Sequence, residues 1–224
     1  MIDPASSARS DNYYLFACAP HDGGLPRRLD SDLEGQLRDS IFRAFGNPQP
    51  TLLPRKPRTT TFERNESTIR KERFSITANG AFGFVSPACA LLSDGLLAFF
   101  PSEFLYDLAC FLACASAFYQ TADYRCEGRL NAELHIPKRA SILANTTRGL
   151  RVPNTHLFNE PLDSIQTNPS VITSENFSGL TGPDIKRMCQ TIMHHIARGV
   201  GRVLSRTFET DVGPLIKPVL ERLA

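Results

Sequence analysis

Tryptophan is absent from this chain of 224 residues, and so are a Cys-x-x-Cys pair, a His-x-x-x-His pair and any uninterrupted apolar run of membrane-spanning length. The absence of tryptophan, with 16 prolines, suggests a loop-rich globule, and the other absences argue against metal and membrane roles. The longest apolar stretch, Phe104 to Tyr119, is interrupted only by the charge of Asp107. It falls short of the roughly 20 residues that a bilayer-crossing helix needs, so no membrane role is expected. Charge of one sign is lacking too: Lys plus Arg is 25 and Asp plus Glu is 23, a net charge of +2. A whole-protein field that gathers nucleic acid or anionic lipid is therefore not implied, although a local patch remains open. The six cysteines are scattered without framework spacing, which fits reduced thiols and a cytoplasmic setting better than a disulfide scaffold. Met1 to Asp11 is polar and has no apolar segment of the kind a secretory signal carries, so it is expected to be disordered. No residue set points to a cofactor or a metal.

What is present is organised around Pro101 to Ile136. A helix is expected from Ser102 to about Ala122, with apolar residues on every face, the pattern of a helix surrounded by neighbours. A strand follows from Arg129 to Ile136. Leu130, Ala132, Leu134 and Ile136 alternate there with Arg129, Asn131, Glu133 and His135, which predicts one packed face and one wet face.

Upstream, Tyr13 to Cys18 is a run of β-formers expected at a sheet edge. A first amphipathic helix has Leu33, Leu37, Ile41 and Phe45 at helical spacing, Ser31 and Glu34 at capping-box spacing, and Gly46 as its C-terminal cap. Four prolines between Asn47 and Arg58 make an irregular connector. Strand signals then cluster at Thr59 to Glu63, Ile69 to Thr77, Phe82 to Ser86 and Leu96 to Phe100, with Asn79-Gly80 predicting a type I′ hairpin turn. Residues 137 to 179 lose periodicity and form a long polar loop with one short strand near Val171 to Thr173. A last amphipathic helix runs from about Pro183 to Phe208.

The fold expected is α+β, with an antiparallel sheet of four to six strands on the buried helix and an amphipathic helix toward each end. A single domain would span 12–210, and 211–224 would be a C-terminal tail.

Seven basic residues, Arg55, Lys56, Arg58, Arg64, Arg70, Lys71 and Arg73, fall within nineteen positions, against Glu63, Glu66 and Glu72. Aligned on one sheet face they could contact phosphates, with Phe62 and Phe74 available for stacking. The plainer alternative is a solvated face of mixed charge. His195, Arg198 and Arg202 make a second basic line on the last helix, where an ordinary wet face is again the alternative. Adjacent His194 and His195 point about 100° apart on a helix and cannot chelate one ion as an i, i+4 pair would. Cys110 and Cys114 share a helix face, but in apolar surroundings they act as small hydrophobes. Cys126 with His135 is a conceivable nucleophile and base, and Glu133 with His135 a conceivable acid–base pair. Gly199-x-Gly201 lies inside a helix with no strand before it, so it is no dinucleotide fingerprint.

The apolar helix, with Phe104, Leu105, Leu108, Phe111, Leu112 and Ala115 leading to Phe118-Tyr119, then Tyr124, then Gly128-Arg129-Leu130, resembles a segment of certain bacterial proteins. In those proteins it follows an N-terminal Schlafen-type, Alba-like DNA-binding domain. That domain has no counterpart here, and no site residue carries over. The resemblance implies an accessory or sensing module in a nucleic-acid-linked regulatory or defence system. The leading expectation is a non-enzymatic module that acts through a protein partner. Nucleic-acid binding through residues 55–73 is the alternative, and a hydrolase or transferase built on Cys126, His135 or Glu133 is a second one.

Overall fold

The computed structural model describes residues 12–21, 30–54, 56–65, 70–92, 95, 97–125, 127–137, 140–142, 170–200 and 213–223. Among these residues ten strands and four helices run in the order β1 (Tyr13–Pro20), α1 (Ser31–Phe45), β2 (Thr51–Leu52), β3 (Thr59–Asn65), β4 (Lys71–Thr77), β5 (Phe82–Ser86), β6 (Cys89–Leu91), β7 (Leu97–Phe99), α2 (Pro101–Thr121), β8 (Glu127–His135), β9 (Ser141–Ile142), β10 (Ser170–Asn176), α3 (Gly182–Val200) and α4 (Gly213–Leu223). Seven strands form one antiparallel sheet in the order β10-β8-β1-β5-β4-β3-β2, and β6-β7-β9 form a small second sheet with β7 and β9 parallel. The class is α+β, built on a buried central helix as expected. The sheet is wider than expected because the Thr51–Leu52 pair and the seven residues of β10 both join it.

Alternation decides which way the sheet faces. Tyr14, Phe16 and Cys18 of β1, Phe74 and Ile76 of β4, Phe82 and Phe84 of β5, and Leu130, Ala132 and Leu134 of β8 are buried on one face, and the helices pack there. The rings of Phe16, Phe82 and Phe84 meet Phe111 of α2. Helix α2 is sandwiched between this face and α1, α3 and α4, which explains apolar residues all round its circumference. Cys110 and Cys114 donate their thiol hydrogens to the carbonyls of Ala44 (3.2 Å) and Ser40 (3.3 Å) on α1. Burial alone pushes the Cys114 thiol up, away from reactive thiolate. These two are packing residues.

Four local expectations are corrected. β1 is central, between β5 and β8, and not an edge, because both partners arrive from far along the chain where local pattern carries no signal. α1 is capped by Asp30, which accepts from the Leu33 N–H at 2.8 Å. Glu34 is turned inward to accept from the Thr60 hydroxyl at 2.6 Å, so the Ser31/Glu34 capping box does not form. The β4–β5 hairpin has a three-residue loop, Ala78 to Gly80. Only Gly80 takes positive φ (84°) there, and the Thr77 hydroxyl accepts from Ala81 N–H, so Asn79 never makes the type I′ turn. Lastly, 213–223 is a helix and not a tail. Ile216 and Val219 are buried, and Arg222 donates to the Ala44 carbonyl at 3.1 Å.

Gly128 is fixed by space. A Cβ there would meet the Ala19 carbonyl oxygen at 2.8 Å and the Phe177 ring at 3.0 Å. Gly128→Ala is expected to destabilise by about 1–3 kcal/mol, the cost of overpacking a filled site. A lowered urea midpoint checks it, and an unchanged midpoint would mean that β1 and Phe177 yield freely.

Candidate functional site

Two features stand out: a buried ionic cluster behind the sheet, and the face of the sheet that carries no described helix.

The cluster grows from the one charged residue inside the apolar part of α2. Asp107 is fully buried, accepts from the Tyr14 hydroxyl of β1, and is bonded by Arg70 Nη2. Arg70 also binds Glu103 of α2 through Nη1 and places Nε 3.1 Å from Glu72 Oε1. Arg64 of β3, 1% exposed, binds the other Glu72 oxygen and donates Nη2 to the carbonyls of Phe45 (3.1 Å) and Asn47 (2.9 Å), past the end of α1. One network therefore ties α1, β1, β3, β4 and α2 together. Burial works against the charge of Arg70, but Tyr14, Asp107, Glu103 and Glu72 outweigh it and hold the guanidinium charged. Burial first, and the nearby charge of Asp107 second, push Glu72 up to about 7 against the pull of Arg70 and Arg64. Tyr14 is raised chiefly by burial.

The helix-free face is read from register. Across it run Glu63, Arg73, Val85, Leu15 and Glu133 in one row, and Thr61, Ser75, Gly83, Ala17, Asn131 and Ile172 in the next. Its centre is apolar and low, with Leu15, Val85, Ala17 and Gly83. Its flanks are long and polar. Arg73 pairs with Glu63 at 3.1 Å, the Asn131 amide donates to Glu133 at 2.6 Å, and the Tyr13 ring stacks on His135 at 4.1 Å. At the β10 edge Ile172 is 69% exposed.

The expected phosphate-binding residues are divided by this arrangement. Arg70 is an internal ion-pair partner and Arg73 is paired on the sheet. Lys56, Arg58 and Lys71 are exposed. Lys56 and Arg58 precede β3 and Lys71 starts β4 opposite Asn65, so they sit at opposite ends of the hairpin, roughly 20 Å apart by strand rise. Phe62 and Phe74 are buried, which removes them from stacking. Arg55 and Arg202 lie outside the described residues, as does the side chain of Arg198. His194 and His195 are exposed on α3, and no group of three or more metal-ligating side chains comes together among the described residues.

His135 and Glu133 do meet, at 3.5 Å, as neighbours on one strand face. Cys126 lies outside the described residues. The pairing of Cys126 with His135 therefore lies outside them as well. The buried cluster was missed by sequence reasoning, although Asp107 alone within an apolar helix was its signal: a buried carboxylate requires a cation.

Comparison with models of known protein families, with curated proteins and with solved structures finds no match to this chain. No helix among the described residues is long and apolar enough to cross a membrane.

Proposed function

We propose that this chain is a non-enzymatic interaction module that binds a partner protein through the helix-free face of its large sheet. The observation that carries this reading is the layering. The described helices pack against one face, while the other presents an apolar centre of Leu15, Ala17 and Val85 between polar flanks. An apolar core inside a polar rim is the anatomy of protein–protein interfaces. Small residues at Ala17, Ala19 and Gly83 keep the centre low, so that a helix or strand of a partner can lie flat between Arg73 on one side and Glu133 on the other. The rim mixes both signs, Arg73 with Glu63 and Arg129 with Glu133, whereas a phosphate backbone selects for clustered cations. A cytoplasmic setting, and a regulatory or defence system linked to nucleic acid, complete the proposal. The first rests on scattered cysteines of which five are buried and free, the second on the resemblance described above.

A photo-crosslinking residue placed at Tyr13 or Ser75 in the source cells tests this, with Gln190 on the exposed side of α3 as control. One protein adduct is expected from both sheet positions and none from position 190. Equal labelling from both sides, or salt-dependent binding of labelled DNA or RNA without any adduct, would move the function to the nucleic-acid alternative carried by Lys56, Arg58 and Lys71.

A further inference from the structure

The two edges of the large sheet are built differently. At one end β2 is two residues long and lies between Pro50 and Pro54, the short, proline-bounded form in which an edge stays exposed without inviting further strands. At the other end β10 is seven residues long and pairs with β8 without a break from Ser170 to Asn176. It holds no proline, lysine or arginine, and its single charge, Glu175, is taken up by Arg187 of α3 at 3.1 and 3.3 Å. Among the described residues no strand pairs with its outer side. Near the middle of that edge stands Ile172, the most exposed large apolar side chain among the described residues. A long, regular edge with β-branched residues at Val171, Ile172 and Thr173 is a template for another strand.

We infer that β10 is the joint of a homodimer, in which the β10 strands of two copies pair antiparallel about a two-fold axis through Ile172. Side chains choose this register. Residues opposed in an antiparallel pair point to the same face of the sheet, so the axis must pass through a residue and not between two. Centred on Ile172, the pairing sets Ile172 against Ile172 of the second copy, Val171 against Thr173, and Ser170 against Ser174. Apolar then meets apolar, branched meets branched and hydroxyl meets hydroxyl, the kind of cross-strand match that stabilises a sheet. Moving the axis to Thr173 sets Ile172 against Ser174 and the buried Val171 against Glu175. In the Ile172 register Glu175 lies past the paired stretch, so it keeps Arg187 and no like charges are opposed.

A contact of this kind is isologous and closes on itself, consuming both bare edges and leaving β2 at each end. The faces match as well. Ile172 lies on the helix-free face in the row of Ala17 and Asn131, so the open faces of two copies run on into one surface. The inference goes beyond the partner reading of that face and does not depend on it, because Tyr13 and Ser75 lie two and four strands away from this edge.

Ile172→Cys in the full chain tests the axis itself. Directly opposed residues of an antiparallel pair have Cα atoms about 4.5–5.5 Å apart, within the span that a disulfide bridges. Under mild oxidation this variant is expected to form a covalent dimer that a thiol reductant releases. Wild type, with the same remaining cysteines, and Ser174→Cys, whose mate is Ser170, are expected to stay uncrosslinked. By light scattering on a sizing column, wild type is expected to show twice the mass of one chain. Ile172→Lys, which sets two ammonium groups against each other, is expected to halve it without changing the circular dichroism spectrum, since position 172 is exposed and takes no part in the core. Wild type at the mass of a single chain would overturn the inference. So would a double mass that survives Ile172→Lys, or a dimer that Ile172→Cys fails to crosslink.

Discussion

Replacing Arg70 by methionine is expected to destabilise the fold by about 3–5 kcal/mol, the cost of breaking a buried ion pair from one side. The substitution keeps an unbranched apolar stem but removes the cation that Glu72, Asp107 and Glu103 share. Asp107 then keeps the Tyr14 hydroxyl and loses its guanidinium. Part of the cost is relieved when the stranded carboxyls bind protons, so the loss should be larger at pH 8 than at pH 5. Urea midpoints at the two pH values check both magnitude and direction. A loss under 1 kcal/mol would mean that water enters the cluster and supports the carboxylates without Arg70. Lys71→Ala, one residue away and exposed, should fall within about 0.5 kcal/mol of wild type. A charge reversal spanning Arg70, Lys71 and Arg73 would therefore mix loss of nucleic-acid binding with loss of the fold. Lys56, Arg58 and Lys71 are the positions at which a phosphate contact can be tested cleanly.

Local periodicity was enough to find most elements here. α2 begins and ends within a residue of its expected bounds, β5 matches, and β8 keeps its alternation over two more residues at its start. These signals are local: a period of 3.6 or 2, a glycine cap, a proline at a first turn. Position in the sheet is not local. Tyr13 to Cys18 is punctuated like an edge strand, yet it is central because its partners lie some seventy and over one hundred residues downstream. Glu34 illustrates the same limit. Its spacing from Ser31 satisfies the capping-box rule, but a long-range hydrogen bond from Thr60 outcompetes the local one once β3 packs over α1.

The candidate site was legible only in part. Alternation alone placed Asn131, Glu133 and His135 together on an open face, and the same alternation puts Lys71 and Arg73 on that face while sending Glu72 inward. What a count of basic residues could not reveal is that Arg64 and Arg70 answer buried carboxylates. Arg64 occupies an inward strand position between Phe62 and the strand end, where an apolar residue is the usual choice. An arginine out of phase with its strand and an aspartate alone in an apolar helix are the two halves of one signal. Each is costly to bury unless paired, and the cluster answers them separately, Arg64 with Glu72 and Asp107 with Arg70.

Phe111→Ala is the second large effect, expected to destabilise by about 3–5 kcal/mol. The ring is fully buried in the centre of α2 and stacks on Phe82 at 5.1 Å with an interplanar angle of 14°, and it also meets Phe16 at 5.7 Å and Phe84 at 6.4 Å. Collapse into the vacated volume is hindered on each side. Phe16 and Phe84 lie on adjacent strands in fixed register and stack on one another, while Phe84 is further held by Phe45 and Phe74. From the helix side α2 itself is clamped at its first turns by Glu103 and Asp107. A cavity lined by rings and held open in this way stays dry and accepts a small aromatic guest. Benzene should therefore raise the urea midpoint of Phe111→Ala in proportion to its occupancy and leave the wild type unchanged. A loss under about 2 kcal/mol with no response to benzene would mean that the aromatic layer closes up, and that α2 is held more by its ionic first turns than by the rings beneath it.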